Sequence, residues 1–159
     1  MWGGYRKIVA FEPNSKNYRN LVRNHPDAIA FQAGVWEKDG TLIFELNGAG
    51  STFADAERSI SDVQGESVKV PVKSIDQTME CSAATFIKMD IEGSEYNALQ
   101  GARNVILKNK PKLAICIYHS DKDMLRIAEL IHEMVPEYRL YVRQHSNSVC
   151  ETVLYAVIP

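Results

Sequence analysis

Apolar and polar positions change period several times along this chain, and the changes mark its elements. Ile8 to Phe11 is a continuous apolar run, as expected for a parallel strand buried on both faces. It stops at Glu12 and Pro13. Pro13 biases Glu12 away from helical geometry, Asn14 can cap a helix, and Tyr18, Leu21 and Val22 give that helix an i, i+3, i+4 face until His25 and Pro26 end it. Ile29 to Val35 reads as a second strand, with the small residues Ala33 and Gly34 near its end, where a flat ligand could approach the backbone. Asp39-Gly40 is a two-residue hairpin signal between Val35-Trp36 and the apolar Leu42, Ile43, Phe44 and Leu46. Asn47 to Phe53 is a Gly/Ser-rich loop, and Ala54 to Glu66 has no sustained period. Val68, Val70 and Val72 then alternate with Lys69, Pro71 and Lys73, a half-exposed strand that Pro71 places at a sheet edge.

The central stretch is Phe86 to Glu95, FIKMDIEGSE. Phe86, Ile87 and Met89 form a short strand that stops at Asp90, and Gly93 permits a sharp turn into a helix with Ala98, Leu99, Ala102, Val105 and Ile106 on one face. Pro111 stops that helix. Leu113 to Tyr118 is a buried strand ending at His119. Ser120 or Asp121 can cap the next helix, whose apolar face is Met124, Ala128, Ile131 and Val135 and which Pro136 ends. Tyr138, Leu140 and Val142 alternate with polar neighbours, the polar turn Gln144 to Ser148 follows, and Thr152 to Ile158 reads as the return strand of a hairpin at one end of the sheet. Strands alternating with helices predict an α/β, Rossmann-like sheet closed by an antiparallel hairpin. Ligands in such sheets sit beyond the carboxyl ends of the parallel strands, so Asp90, Glu92 and Glu95 are expected at a site mouth.

Composition narrows the class. The 159 residues, 45% hydrophobic and 24% charged, predict a single domain over residues 1–159. The net charge of −2 and scattered basic residues argue against a nucleic-acid partner. Cys81, Cys116 and Cys150 lack metal-type spacing, and Cys116 lies in an apolar run, which fits a reducing, cytoplasmic setting. No stretch approaches the ~18 apolar residues of a membrane span, and the start MWGGYRK has no apolar signal core, so neither membrane insertion nor export is expected.

Six segments, VAFEPNSKNYRNL, GSTF, FIKMDIEGSEYNALQGA, KPKLAICIYH, LYVRQH and ETVLYAV, together resemble the FkbM-type family of S-adenosylmethionine-dependent methyltransferases. KMDIEGSE is the most specific of their motifs. The resemblance implies a class I methyltransferase sheet and an O-methyltransferase that acts on a hydroxyl of a sugar or other small molecule. It matches Glu12 to the acidic residue that holds the cofactor ribose, a task suited to a carboxylate that accepts two hydrogen bonds. Pro13, Ala33 and Gly34 would line the adenine slot. Asp90 would face the methionine end of S-adenosylmethionine, where it can pair with the ammonium group or position the incoming hydroxyl. His119, at the end of the next strand, is the nominated base. Ser51, Thr52, Glu92 and Glu95 are candidates for contact with the substrate.

Each candidate has a plainer reading. Glu12 can be a surface carboxylate before a helix, and Glu92 and Glu95 can simply complement a helix macrodipole. Asp90, Glu92 and His119 offer ligands that suit magnesium, but their spacing is not a recognised cage, so no metal is expected. Trp36 and Tyr118 read as packing residues, His25, His132 and His145 as surface residues, and Arg143 with His145 as a solvated strand face. The family's first strand and helix, with the glycine-rich cofactor loop, should lie upstream of Ile8, and only Gly3 and Gly4 stand nearby. That strand belongs between the ones ending at Glu12 and Asp90, so its absence would leave two inner edges unpaired. Three outcomes follow: a natural start further upstream, direct closure of the two strands, or a second copy or partner chain that covers the gap. The rival functions are a non-catalytic interaction module with the same sheet and, less favoured, a nicotinamide-dependent enzyme.

Overall fold

The strands pair in three separate groups, and the computed structural model describes them over residues 5–45, 67–147 and 150–159. The first group is β1 (Val9–Phe11) beside β2 (Ile29–Phe31), parallel, joined by α1 (Ser15–Asn24). Asn14 caps α1 as its sequence predicts, its side-chain oxygen accepting from the backbone N–H groups of Lys16 at 2.9 Å and Asn17 at 3.2 Å. The rings of Phe11 and Phe31 stack across the pair at 5.3 Å.

The expected strand Ile29 to Val35 is broken. After β2 the chain crosses to a second group, where β3 (Gly34–Val35) runs parallel to β5 (Ser67–Lys73), and β4 (Gly40–Glu45) pairs antiparallel to the other side of β5. β3 and β4 do not pair, so Asp39-Gly40 forms no hairpin. The Asp39 carboxylate instead accepts from the Ser74 N–H at 2.7 Å and lies 3.3 Å from Lys73 Nζ, which ties this turn to the end of β5. β5 is therefore the middle strand and not an edge. Pro71 is tolerated because β3 pairs only with Val72 and Lys73 and leaves that side of β5 open at Pro71.

The third group has the order β6 (Phe86–Met89), β7 (Lys112–Cys116), β9 (Thr152–Val157), β8 (Arg139–Gln144), the last two antiparallel as expected. The single helix expected after Gly93 is two helices, α2 (Glu95–Gln100) and α3 (Arg103–Asn109). The break falls where the Gly101 carbonyl accepts from Asp76 N–H at 2.8 Å and Ser74 Oγ at 2.9 Å. Asp76 then caps α3, its carboxylate accepting from the N–H groups of Asn104 and Val105, both at 2.9 Å. The helix α4 (Asp123–Met134) buries Ile127, Leu130, Ile131 and Met134, whereas Met124, expected on that face, is exposed. Lys122, not Ser120 or Asp121, occupies its N-cap position.

One apolar core joins the groups. It runs from Val35 and Ile75 through Ile87, Leu99, Ile106, Leu113, Ile115 and Ile131 to Leu154 and Ala156, with Val9 and Phe11 of β1 packed against it. Among the described residues β1 pairs only with β2 and β6 only with β7. The two strands do not close on each other, which removes direct closure from the three outcomes.

Candidate functional site

Parallel pairing of β6 with β7 sets Met89 opposite Ile115, so the chain leaves the two strands side by side, at Asp90 on one and at Tyr118 and His119 beyond the other. The turn after β6 is tight. Glu92 has φ 56° and Gly93 φ 90°, two successive left-handed residues, of which only the glycine adopts that conformation without strain. A Cβ on Gly93 would meet the His119 Cβ at 3.6 Å, an ordinary contact, so the glycine is there for its backbone angle and not for space. The turn folds Glu95 back beneath Asp90, where the Glu95 Oε1 accepts from the Ile91 N–H at 2.8 Å.

Three carboxylates thereby surround one imidazole. His119 Nδ1 lies 3.1 Å from Glu95 Oε1, while His119 Nε2 lies 3.4 Å from Glu92 Oε2 and 3.7 Å from Asp90 Oδ1. The Nδ1 contact has the length of a hydrogen bond without its direction, since neither ring nitrogen makes an aligned one. The His119 side chain is 9% exposed and that of Glu95 0%, whereas Asp90 and Glu92 are 39% and 44% exposed. The cluster thus has a buried floor and an open mouth. Burial is the largest single influence on His119 and pulls its pKa down, but Glu95, then Glu92 and Asp90, outweigh it and the net shift is upward. Tyr118 donates its hydroxyl to Asp90 Oδ1 at 3.0 Å, and burial first, then Asp90, hold that phenol above its ordinary range. The Cys116 thiol is pushed up to about 12 by burial and then by Asp90, so it stays protonated at neutral pH.

The structure sorts the candidates from the sequence into two groups. Asp90, Glu92, Glu95 and His119 come together as described. Glu95 needs a correction, because it is fully buried under the turn, where its Oε1 accepts from the Ile91 N–H, and cannot meet a substrate at the surface. The second group is Glu12 and Pro13, just past β1, with Ala33 and Gly34 at the crossing from β2 to β3, both of them buried. Glu12 N–H donates to Phe31 O at 3.1 Å, and Glu12 Oε1 accepts from Asn14 N–H at 2.7 Å, which orients the carboxylate at the strand end. Beside it, Phe31, Gln32 and Ala33 line a groove of about 350 Å³ together with residues of β4 and β5. Ser51 and Thr52 lie outside the described residues. Tyr118, which its sequence places among the packing residues, is bonded to Asp90 instead. The signal was available: parallel strands ending at Asp90 and Tyr118 bring those two residues side by side.

A Rossmann-like α/β domain, with its chemistry-bearing side chains gathered beyond the carboxyl ends of adjacent parallel strands, is the class this fold and site define. The chain belongs to the FkbM methyltransferase domain family, whose model matches residues 1–148. It is similar to the crystal structure of the methyltransferase FkbM from Methylobacillus flagellatus KT, at 29% sequence identity and a TM-score of 0.75. The match covers 98% of this chain and 37% of that one, so this chain spans little more than a third of its neighbour's length. No curated protein matches the chain. No helix among the described residues is long and apolar enough to cross a membrane.

Proposed function

We propose that the chain is part of an S-adenosylmethionine-dependent O-methyltransferase that acts on a hydroxyl of a sugar or other small molecule. The observation that carries this reading is the convergence of Asp90, Glu92 and His119 at an open mouth beyond β6 and β7, in a chain of the FkbM family. S-adenosylmethionine, when bound, supplies a methyl group on a sulfonium centre. The residues of this chain have the tasks of holding and aligning. The Glu12 carboxylate, steadied by Asn14, accepts hydrogen bonds from the ribose hydroxyls, and Pro13, Ala33 and Gly34 give the adenine a flat wall. The fit is chemical: a carboxylate with one oxygen already oriented by backbone can still accept from two neighbouring hydroxyls. Asp90 and His119 receive the acceptor hydroxyl, Asp90 positioning it and the pair taking up its proton. Three free cysteines, two of them buried, support a reducing, cytoplasmic setting.

A second reading, a non-catalytic module with the same sheet, is favoured by the strand edges of β1 and β6, which no described strand covers. A further copy or a partner chain would then occupy that gap. Calorimetric titration of the chain with S-adenosylmethionine, beside a Glu12→Ala variant, separates the two. Saturable heat that weakens by about tenfold or more in the variant is expected, the loss of a charge-assisted contact. No heat at millimolar cofactor would leave the non-catalytic module standing.

A further inference from the structure

The floor of the Asp90 cluster carries charge that its neighbours only half satisfy. Glu95 is completely buried, and while its Oε1 accepts from Ile91, its Oε2 has no hydrogen-bond partner. The ring nitrogens of His119, in a side chain only 9% exposed, also have none. Lys88 Nζ is 3.8 Å from Asp90 Oδ2, but at 61% exposure it sits in water and compensates little. A buried carboxylate oxygen without a hydrogen bond is costly, and it belongs to the same cluster as an imidazole that, when neutral, offers a ring lone pair to a cation.

We propose that this cluster is a divalent-cation site, with Asp90, Glu95 and one ring nitrogen of His119 as ligands and Glu92 as a further oxygen from the open side. Asp90, Glu95 and His119 each offer a ligand atom, and these atoms lie within 4.8 Å of one another. Metal–ligand bonds of about 2.0–2.3 Å place neighbouring and opposed ligands roughly 3 to 4.5 Å apart. His119 Nε2 lies 3.7 Å from Asp90 Oδ1 and 3.4 Å from Glu92 Oε2, both in that range and both measured from one ring nitrogen. Carboxylate oxygens with a single imidazole suit a hard or borderline cation of the magnesium and manganese class, and exclude the soft cations that thiolates select. The 39% and 44% exposure of Asp90 and Glu92 leaves one side of the ion open. The inference deepens the methyltransferase reading, on which the ion's use rests, and changes one role in it: with Asp90 and His119 holding the ion, an acceptor hydroxyl bound on that open side would be held and acidified by the cation, and its proton would pass to solvent at the open mouth. Cation binding itself rests only on the cluster.

The test is titration of the chain with Mn²⁺, without methyl donor, followed by the loss of the free-ion electron paramagnetic resonance signal. Uptake of a single Mn²⁺ is expected, about tenfold or more weaker in both Asp90→Asn and Glu95→Gln. Chelation should lower the melting temperature of the unsubstituted chain and leave that of Asp90→Asn unmoved. Glu95 is buried and its variant can fail to fold, but Asp90 is half-exposed and its variant tests the site in a folded chain. No uptake by the folded chain, or equal uptake by Asp90→Asn, overturns the proposal. A chain that binds S-adenosylmethionine and not Mn²⁺ loses this inference alone, and one that binds Mn²⁺ and not the cofactor loses the enzyme reading alone.

Discussion

A Cβ on Gly101 would lie 2.1 Å from the backbone oxygen of Trp36 and 2.9 Å from the Glu37 Cα. Neither atom is the end of a flexible side chain, so the backbone would have to move. The φ of Gly101 is −75°, which any residue adopts, and the demand is therefore for space alone. Gly101→Ala should cost about 3 kcal/mol or more, at the upper end of overpacking penalties, and lower the urea midpoint of unfolding accordingly. Gly93 makes the opposite demand. Its φ of 90° needs a glycine although there is room for a side chain. In the sequence the two residues look alike. The turn at Gly93 was legible because an apolar strand, an acidic tetrapeptide and a helix start flank it, while the close approach at Gly101 depends on a segment 65 positions away, at Trp36.

At the scale of elements, Asp76 links that junction to the helix beyond it. Its backbone N–H donates to the Gly101 carbonyl, and its carboxylate takes two N–H groups at the start of α3. Asp76→Ala should destabilise the chain by about 1–2 kcal/mol, the usual cost of a lost N-cap, with helix content nearly unchanged by circular dichroism. Elements whose signals are local were legible in the sequence: α1 with its Asn14 cap, β7 as an apolar run, and the β8–β9 hairpin as an alternating strand, a polar turn and a return strand. Those set by distant partners were not. Asp39-Gly40 has the chemistry of a hairpin turn, yet β5 intervenes between β3 and β4 and the turn becomes a connection across it. Likewise the helical period from Ala98 to Ile106 continues through Gly101, and only packing against Trp36 and Asp76 divides it. At the site, strand ends predicted that Asp90 and His119 would be neighbours. The inward fold of Glu95 follows from the left-handed pair Glu92-Gly93, which composition does not reveal.

Among the described residues the molecule is a set of sheets around one core, in which β1 and β6 are each paired on one side only. Native-state hydrogen exchange should divide accordingly. Amides of β7 and β9, paired on both sides in the interior of their sheet, should exchange slowest. Amides of β1 and β6 that point away from β2 and β7 should exchange faster by several orders of magnitude. Slow exchange along those outer edges would instead mean that another chain covers them, and the same sample's mass by light scattering would then exceed that of a single chain.

The order of the third sheet also has a consequence in time. β9 lies between β7 and β8, yet about 35 residues separate the end of β7 from its first residue. At a synthesis rate of roughly 5–20 residues per second, β7 waits on the order of 2–7 seconds on the ribosome with one edge bare. Through that interval β8, already made, has no neighbour to pair with, because the strand that joins it to the sheet follows it in the chain. Leu113, Ala114 and Ile115, all buried in the finished sheet, are then open to any passing strand. This stretch of nascent chain is thus most exposed to aggregation between the synthesis of β7 and that of β9, and a pause anywhere from Cys116 to Thr152 would lengthen that window while one upstream of β7 would not.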